Sequence, residues 1–157
     1  HGLGIAVGVG LALRAKKNPA FVYNMMSDGE LGEGSTWEAA MAASHHCLGN
    51  LICLVDFNNQ QADGHSKDMM SSEPVDQKFE AFGWHAQRVD GNDIKALTKA
   101  FDAAKTLKDD RPRVIICDTK MCKGVSFLEE REITHFVRVA PEEWASAIAH
   151  LDGEAPA

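Results

Sequence analysis

The run LICLVDF at residues 51–57 constrains the fold more than any other stretch of the sequence. All of its residues are hydrophobic except Asp56. A strand with apolar side chains on both sides has to be buried on both faces, which is typical of a parallel sheet covered by helices. The run therefore predicts an α/β fold.

Strand and helix patterns alternate along the rest of the chain. The sequence predicts strands over 21–26, 51–57, 85–89 and 113–119, and helices over 2–18, 31–47, 72–82, 93–107 and 141–151. This alternation implies right-handed crossovers and a mostly parallel sheet with helices on both faces. The 157 residues contain no internal repeat, low-complexity tract or linker, so we expect a single domain over 1–157.

Three local predictions accompany this scheme. Gly4 and Gly8 lie four residues apart on the first helix, a spacing that favours close packing against a neighbouring element. Ser72 is expected to cap the third helix, with Pro74 in its first turn. The HHC segment at 45–47 contains zinc-ligand residue types, but adjacent side chains on a helix diverge by about 100°. A helix end with a buried cysteine is therefore favoured over a zinc site.

Composition and charge exclude several classes of function. The formal net charge is -7, and the basic residues are too sparse to form the clustered surface that nucleic acid binding requires. The apolar stretch 3–13 is too short to span a bilayer, and basic residues follow it, whereas a signal peptide places them first. The four cysteines form no C-x-x-C pair, and Cys122 has no evident partner base. We therefore expect a cytoplasmic chain with reduced thiols and neither a nucleic-acid nor a membrane partner.

Two polar turns follow the first two predicted strands. SDG at 27–29 ends the first strand, and NNQQ at 58–61 ends the second. Ligands of an open parallel sheet bind in the crevice at the carboxyl ends of its strands. Asp28 and Asn58 are separated by one helix and one strand, so we expect both side chains at the same edge. Taken alone, Asp28 and Gly29 could form a plain turn, because Asp and Gly favour turns for backbone reasons.

Together, the two turns predict a site for a metal ion and a diphosphate. A carboxylate, an amide oxygen and a backbone carbonyl are hard oxygen ligands of the kind that Mg²⁺ or Ca²⁺ takes. Mg²⁺ held by so few protein groups usually also binds phosphates. Gly29 has no Cβ to block a phosphate from its N–H group, and the N-terminus of the following helix attracts negative charge.

These turns resemble the thiamine diphosphate motif, in which a Gly-Asp-Gly turn is followed, one helix and one strand later, by asparagine. The segments EGSTWEAAM at 33–41 and HHCLGNLICLVDFNNQQADG at 45–64 are similar to transketolases. The resemblance runs from His1 to about Phe127. It implies the thiamine-diphosphate-binding fold, and specifically its pyrophosphate-binding module.

The resemblance also implies roles for individual residues at the cofactor. Asp28 and Asn58 would bind the metal through their side chains, and Gln60 through its backbone carbonyl. Gly29 would donate its N–H group to the diphosphate. Ala62 matches the family's apolar residue beside the thiazolium ring.

Further residues are implied around this centre. Asp63 matches an aspartate that directly follows the metal loop and belongs to the cofactor site. Glu33 matches an acid that joins a glutamate network across the subunit interface, and Glu38 lies near it in sequence. His135 is a candidate for the substrate-facing histidine of a Trp-His-Gly motif, although the next proline is farther away here than in the family.

The implied reaction is that of transketolase, the transfer of a two-carbon ketol unit from a ketose to an aldehyde with thiamine diphosphate as the electron sink. In this family the cofactor lies between a pyrophosphate-binding and a pyrimidine-binding module, and the glutamate of the second module is absent from this sequence. We therefore expect a separate pyrimidine-binding subunit, a heterotetramer with two copies of each chain, and a sugar-phosphate or ketose substrate. The chain alone should be inactive.

Departures from the family pattern keep alternatives open. Ser27 replaces the first glycine of the motif, and Met121 and Cys122 replace the Lys and Gly of a T-x-K-G-K-G-V-S-F stretch. The family's upstream segment, with its substrate-facing histidines, is expected to be missing. His65 is a candidate substrate contact, but a solvated loop histidine is favoured. The alternatives are a non-catalytic binding or assembly module and a related thiamine enzyme, such as a 1-deoxyxylulose-5-phosphate synthase-like protein.

Overall fold

The computed structural model describes residues 1–132, 134–136 and 138–153. Within these residues the helices are α1 (Gly2–Ala15), α2 (Gly34–His45), α3 (Ser66–Met69), α4 (Val75–Ala81), α5 (Ile94–Thr106), α6 (Ser126–Glu129) and α7 (Pro141–Leu151), with a 3₁₀ helix at Gly29–Gly32. The strands are β1 (Val22–Ser27), β2 (Leu51–Phe57), β3 (Gln60–Gln61), β4 (Gly64–His65), β5 (His85–Asp90) and β6 (Arg113–Asp118). No helix in these ranges is long and apolar enough to cross a bilayer.

Four parallel strands form the main sheet in the order β1-β2-β6-β5. β2 pairs with β1 on one side and with β6 on the other, so that Ile52 lies opposite Tyr23 and Arg113. The short strands β3 and β4 form a separate antiparallel hairpin directly after β2. The α/β class with a mostly parallel sheet is confirmed. Because the strands are parallel, the turns that follow β1 and β2 lie side by side at the carboxyl edge.

The side chains of β2 alternate between two buried layers. Cys53 and Val55 face the layer formed with α1, α2 and α4. Ile52 faces the opposite layer, where Ala100 and Ala104 of α5 pack against the sheet. Burial on both sides explains why LICLVDF has no polar face, and helices on both faces of the sheet were expected from it.

Aromatic packing fixes the start of α2 against α4. The Trp37 ring lies 5.3 Å from the ring of Phe79 and 5.8 Å from that of Phe82, measured between centroids. The Trp37 indole N–H donates to the carbonyl of Leu31 at 2.8 Å, which fastens the 3₁₀ helix to the first turn of α2. The turn that carries Asp28 is therefore held by the core rather than by solvent-exposed contacts.

The packing prediction for the first helix is wrong. Gly4 and Gly8 are exposed, and a Cβ built at either position would meet no atom of the described chain within 4 Å. The buried residues of α1 are Leu3, Ala6, Val7 and Gly10. Small and large residues occur on both faces of the helix, since Ala6 and Gly10 are buried with Leu3 and Val7, whereas Ile5 and Val9 are exposed.

Two predictions at helix ends are also wrong. Pro74 occupies the N-cap of α4, and the carboxylate of Glu73, not Ser72, accepts the N–H of Val75 at 2.9 Å. Ser72 is buried, and its hydroxyl has no partner within the described part of the chain. Cys47 is exposed rather than buried, and it lies two residues after the end of α2, where the backbone is left-handed with φ of 51°.

The polar loop predicted after β2 is more ordered than its composition suggested. It contains the β3–β4 hairpin and the single-turn helix α3. The N–H of Ser66 donates to the carbonyl of Asn59 at 3.0 Å, which closes the base of the hairpin. These short elements bring the loop back over the carboxyl edge of the sheet.

Candidate functional site at the carboxyl edge of the sheet

Asp28 lies directly after β1 and is buried, with 1% of its surface exposed. Its N–H donates to the carbonyl of Asp56 at 3.1 Å, so the chain at Asp28 stays fastened to β2 beyond the end of β1. The hydroxyl of Ser66 donates to its Oδ2 atom at 2.7 Å. Its Oδ1 atom is buried and has no hydrogen-bond partner among the described residues. A buried carboxylate oxygen without a donor is the arrangement expected where a cation binds.

The electrostatics of Asp28 agree with this arrangement. Burial raises the pKa of its carboxyl group, because the charged form loses its hydration. The hydrogen bond from Ser66 and the nearby backbone N–H groups of Gly29 and Asn59 lower that pKa, but they do not outweigh burial. The ionised carboxylate therefore lacks a compensating positive charge, which a bound metal ion would supply.

Asn58 lies at the same edge, in the turn after β2. Its Nδ2 donates to Oδ2 of Asp56 at 3.2 Å, and its Oδ1 accepts the N–H of Gln60 at 2.9 Å. The other carboxylate oxygen of Asp56, Oδ1, accepts a hydrogen bond from the hydroxyl of Thr119, the residue that follows β6. These bonds fix the orientation of the Asn58 amide, and an amide oxygen has a second lone pair for a metal ion.

Gln60 connects this turn to a distant part of the chain. Its side-chain Oε1 accepts both the N–H of Thr134 at 2.9 Å and the Thr134 hydroxyl at 3.0 Å. Thr134 is buried, whereas the next residue, His135, is exposed beside the ring of Phe136. The contact therefore anchors the segment that carries His135 to the hairpin after β2.

The turn from β1 into the 3₁₀ helix contains Ser27, which differs from the family motif, and Gly29, which matches it. The hydroxyl of Ser27 accepts the N–H of Glu30 at 3.3 Å, so serine serves the turn in place of glycine. A Cβ at Gly29 would lie 3.6 Å from the nearest side-chain atom, Cγ of Gln61, which is ordinary contact. The packing of the described residues therefore does not by itself require glycine at this position.

The remaining candidate residues lie on the surface. Ala62 and Asp63 form the exposed tip of the β3–β4 hairpin, and His65 is half-buried in β4 opposite Gln60. Glu33 and Glu38 are both exposed, Glu33 at the N-cap of α2 and Glu38 one turn into it. None of these side chains contributes to the core.

The residues at this edge fit a hard metal ion bound together with an anionic ligand. No group of three or more His, Cys, Asp or Glu side chains that could hold a metal occurs in the described ranges. A cation here would therefore be held by one carboxylate, an amide oxygen, a backbone carbonyl and non-protein oxygens. Mg²⁺ bound with phosphates takes this kind of mixed ligand set.

Two polar residues of this site had no signal in the sequence. Ser66 is 38 residues from Asp28, and Thr134 is 74 residues from Gln60. Serine and threonine in a polar loop are ordinary, and only the fold shows that each is buried against a particular partner.

Comparisons with known proteins place the chain among thiamine diphosphate proteins. A family model described as transketolase, thiamine diphosphate binding domain, matches residues 2–151. The transketolase family protein y4mO of Sinorhizobium fredii is 61% identical over 152 residues, covering 97% of this chain and 54% of that protein. The 6-deoxy-6-sulfo-D-fructose transketolase subunit SqwG of a Clostridium species is 37% identical over 154 residues, covering 98% of this chain and 56% of that subunit. The chain thus spans about half the length of these curated relatives.

A solved structure shows the same similarity in three dimensions. The transketolase of Campylobacter jejuni superposes with a TM-score of 0.70 at 34% sequence identity. The match covers 81% of this chain and 21% of that enzyme.

Proposed function

The chain belongs to the transketolase family, and on this basis we propose that it is the cofactor-binding part of a transketolase. The reaction is the transfer of a two-carbon ketol unit from a ketose to an aldehyde. The observation that carries the proposal is the buried Asp28 carboxylate, which has one oxygen without a donor and lies at the same sheet edge as Asn58. This is where a parallel α/β sheet binds its ligands.

In the proposed site, Mg²⁺, or Ca²⁺ in its place, is bound by the side chains of Asp28 and Asn58 and by the backbone carbonyl of Gln60. Gly29 donates its N–H group to the diphosphate of the cofactor. The unpaired Oδ1 of Asp28 supports the first of these roles, since a cation would remove the electrostatic cost of burying the carboxylate.

Around this centre, Ala62 and Asp63 contact the cofactor from the hairpin tip. His135 faces the substrate, and its anchoring through Gln60 and Thr134 supports this role because it ties the segment to the proposed metal loop. Glu33, exposed before α2, faces the partner subunit.

When bound, thiamine diphosphate supplies the electron sink for the ketol transfer. The residues of this chain would position it, with Asp28 and Asn58 holding the metal ion and Gly29 donating to the diphosphate. Fixing the cofactor in this way holds the reacting groups in place and lowers the entropic part of the barrier.

We propose further that the chain forms a single domain over 1–157 and acts with a separate pyrimidine-binding subunit, in a heterotetramer of two copies of each. The name of the SqwG relative, a transketolase subunit, supports a divided enzyme. The chain alone should be inactive, with ketoses or sugar phosphates as substrates of the complex. The four free thiols agree with a reducing, cytoplasmic location.

The proposal is tested by mixing the chain with its candidate partner subunit, Mg²⁺, thiamine diphosphate, a ketose or hydroxypyruvate donor and an aldehyde acceptor. We expect ketol transfer by the mixture and none by either subunit alone. Asp28→Asn and Asn58→Ala should each abolish it. Asp68→Asn, which removes an exposed carboxylate from α3, is the matched control and should leave it unchanged.

Transfer that survives both site variants would refute the assignment. If calorimetry shows Mg²⁺-dependent cofactor binding by the mixture but no donor is consumed, the chain is a binding module. Absence of cofactor binding would exclude both functions.

A further inference from the structure

Gln60 makes hydrogen bonds in three directions from one position in β3. Its N–H donates to Oδ1 of Asn58 at 2.9 Å, and its backbone pairs with His65 across the β3–β4 hairpin. Its side-chain Oε1 accepts the N–H of Thr134 at 2.9 Å and the Thr134 hydroxyl at 3.0 Å. One residue therefore joins the turn after β2, the hairpin and a segment 74 residues farther along the chain.

Within the described part of the chain, both donors of Thr134 bind this one oxygen. Thr134 is 5% exposed, so water has little access to replace the Gln60 side chain. The two hydrogen bonds use both lone pairs of the amide oxygen, and without them two buried donors would be left unpaired. The position of Thr134, and of the exposed residues His135 and Phe136 that follow it, therefore depends on where the Gln60 side chain is held.

We propose that Gln60 couples loading of the metal site to the position of the Thr134 segment, defined as residues 134–136. The inference rests on the proposed function, because it requires a metal ion bound by the Asn58 amide oxygen and the Gln60 carbonyl. The ion holds both ends of the short stretch from Asn58 to Gln60, and the Gln60 side chain transmits that restraint to Thr134. The side chain is thus a positioning group, whereas the carbonyl of the same residue is a metal ligand.

The physical reason is conformational entropy. A glutamine side chain and a short hairpin both lose freedom when they are held in one arrangement. In the metal-free chain, the contact with Thr134 has to offset the whole of this loss. A bound ion fixes the backbone of Gln60 beforehand, so the same contact has less to offset and forms more completely. The coupling is reciprocal, because a held Thr134 segment favours metal binding by the same factor.

The test measures hydrogen exchange at the Thr134 amide in the complex with the pyrimidine-binding subunit, with and without Mg²⁺ and thiamine diphosphate. In the parent complex we expect loading to slow this exchange about fivefold, at the lower end of usual couplings between sites. Gln60→Met keeps the backbone carbonyl and the side-chain length but replaces the amide with a weakly accepting thioether. In this variant exchange should be faster, and loading should no longer slow it.

Mg²⁺ binding measured by calorimetry gives the reciprocal value. In Gln60→Met the Mg²⁺ affinity should fall by no more than the same factor of about five, because both metal-binding oxygens of the Asn58–Gln60 stretch remain. The variant therefore keeps its cofactor, and the exchange experiment can be made at saturating ligand.

Gln87→Met is the matched control for the substitution itself. The Gln87 side chain donates to the carbonyl of Ala100 at 3.3 Å, between β5 and α5, so the same change removes a hydrogen bond away from the proposed site. This control should keep the slowing at Thr134. Exchange at Ile116, which is fully buried in β6, reports global unfolding in the same samples. Equal slowing at Thr134 and Ile116 would overturn the inference, because loading would then stabilise the whole fold.

The remaining outcomes separate the coupling from the proposed function. Slowing that persists in Gln60→Met would overturn the inference, because the cofactor or the second subunit would then cover the segment directly. Unchanged exchange in a parent complex that binds Mg²⁺ and thiamine diphosphate would overturn it while the metal site stands. If the parent complex binds neither, the proposed function fails and the coupling with it. Slowing in the parent and in Gln87→Met, but not in Gln60→Met, supports the inference.

Discussion

The two ends of the parallel sheet bury opposite charges in opposite ways. At the amino end, Arg113 is 2% exposed and its guanidinium is surrounded by backbone oxygens. It donates to the carbonyl groups of Gly49, Ala104, Leu107, Asp109 and Arg111. At the carboxyl end, Asp28 is 1% exposed, yet one of its oxygens has no donor among the described residues.

The difference separates a structural charge from a binding charge. A buried ion is tolerated when hydrogen bonds and opposite dipoles replace its water, and Arg113 meets that condition with five carbonyl groups of the chain. Asp28 meets this condition only in part, and in the proposed function a bound cation supplies the remainder. Burial lowers the pKa of Arg113 and raises that of Asp28, so both groups carry a cost of desolvation. Only Arg113 has a hydrogen-bond partner in the described chain for every polar atom of its side chain.

The largest expected effect on stability comes from removing the buried guanidinium of Arg113 at the amino end of the sheet. Arg113→Met removes the donor from five carbonyl groups of the connection before β2 and of the end of α5 with its connection to β6. We expect a loss of about 3 kcal/mol in the free energy of unfolding. Urea denaturation measures it. Arg111→Met, which removes an exposed guanidinium paired with Asp109, is the control and should cost about 0.5 kcal/mol. Equal effects of the two variants would show that burial at this end is unimportant.

Replacement of Asp28, at the carboxyl end of the sheet, should instead stabilise the metal-free chain. Asp28→Asn removes a buried charge without changing its shape, and we expect a gain of about 1 kcal/mol near neutral pH. In the same variant, Mg²⁺ affinity in the presence of thiamine diphosphate should fall by about 100-fold or more. Urea denaturation and calorimetry give the two values.

The stability of the metal-free chain should depend on pH differently in the parent and in Asp28→Asn. Because the pKa of Asp28 is raised in the folded chain, its stabilising effect is complete below the ordinary value of 3.8 and is lost as pH rises through the raised pKa. The metal-free parent chain should therefore lose this contribution as pH rises, whereas Asp28→Asn should not. A metal-free Asn variant less stable than the parent near neutral pH would contradict the contrast.

Gln60 has one structural group and one proposed binding group. Its side-chain oxygen is hydrogen-bonded within the chain, like Arg113, whereas its backbone carbonyl is a proposed metal ligand. Gln60→Ala leaves the N–H and hydroxyl of Thr134 without their acceptor, which should cost about 1 kcal/mol and speed amide exchange at Thr134. The backbone carbonyl is unchanged, so Mg²⁺ binding should largely remain. Gln61→Ala is the neighbouring control. Unaltered exchange at Thr134 would show that the side chain does not anchor this segment.

The smallest effect is expected where a charge is paired but exposed. Arg88 donates to Glu73 at 2.8 Å with both side chains about a third exposed, at 32% and 39%. This hydrogen bond lowers the pKa of Glu73, so its contribution is present above the ordinary value of 4.5 and is lost as pH falls through the lowered pKa. After allowance for solvent screening, Glu73→Gln should cost about 0.5 kcal/mol near neutral pH. The difference from the parent in urea denaturation should vanish in acid, and a difference independent of pH would rule out the ion pair as its cause.

The sequence predicted the fold well because the fold depends on periodicity and composition. The bounds of β2 and α7 coincide with those expected, and β1 is displaced by one residue. A strand buried on both sides leaves a continuous apolar run, and such a run is readable without tertiary information. The edge of the sheet where Asp28 and Asn58 meet follows from the parallel arrangement alone.

The partners of these residues could not be predicted in the same way. Ser66 and Thr134 bind acceptors that are distant in sequence, and Arg113 binds carbonyl groups of Gly49 and of the stretch 104–111. Such contacts have no period along the chain. The errors at Cys47 and Ser72 have a related origin, because the exposed side of a turn depends on backbone angles that residue type only biases.

The unpaired oxygen of Asp28 also has a consequence for the persistence of the protein in a cell. A ligand that binds only the folded chain protects it by mass action, by about 2.7 kcal/mol when its concentration is a hundred times its dissociation constant. Proteases act on the unfolded fraction, and shifts of this size change protein abundance several-fold. With a metal bound at Asp28 as proposed, the lifetime of the chain would follow the supply of its ligands, and copies without cofactor would be degraded first.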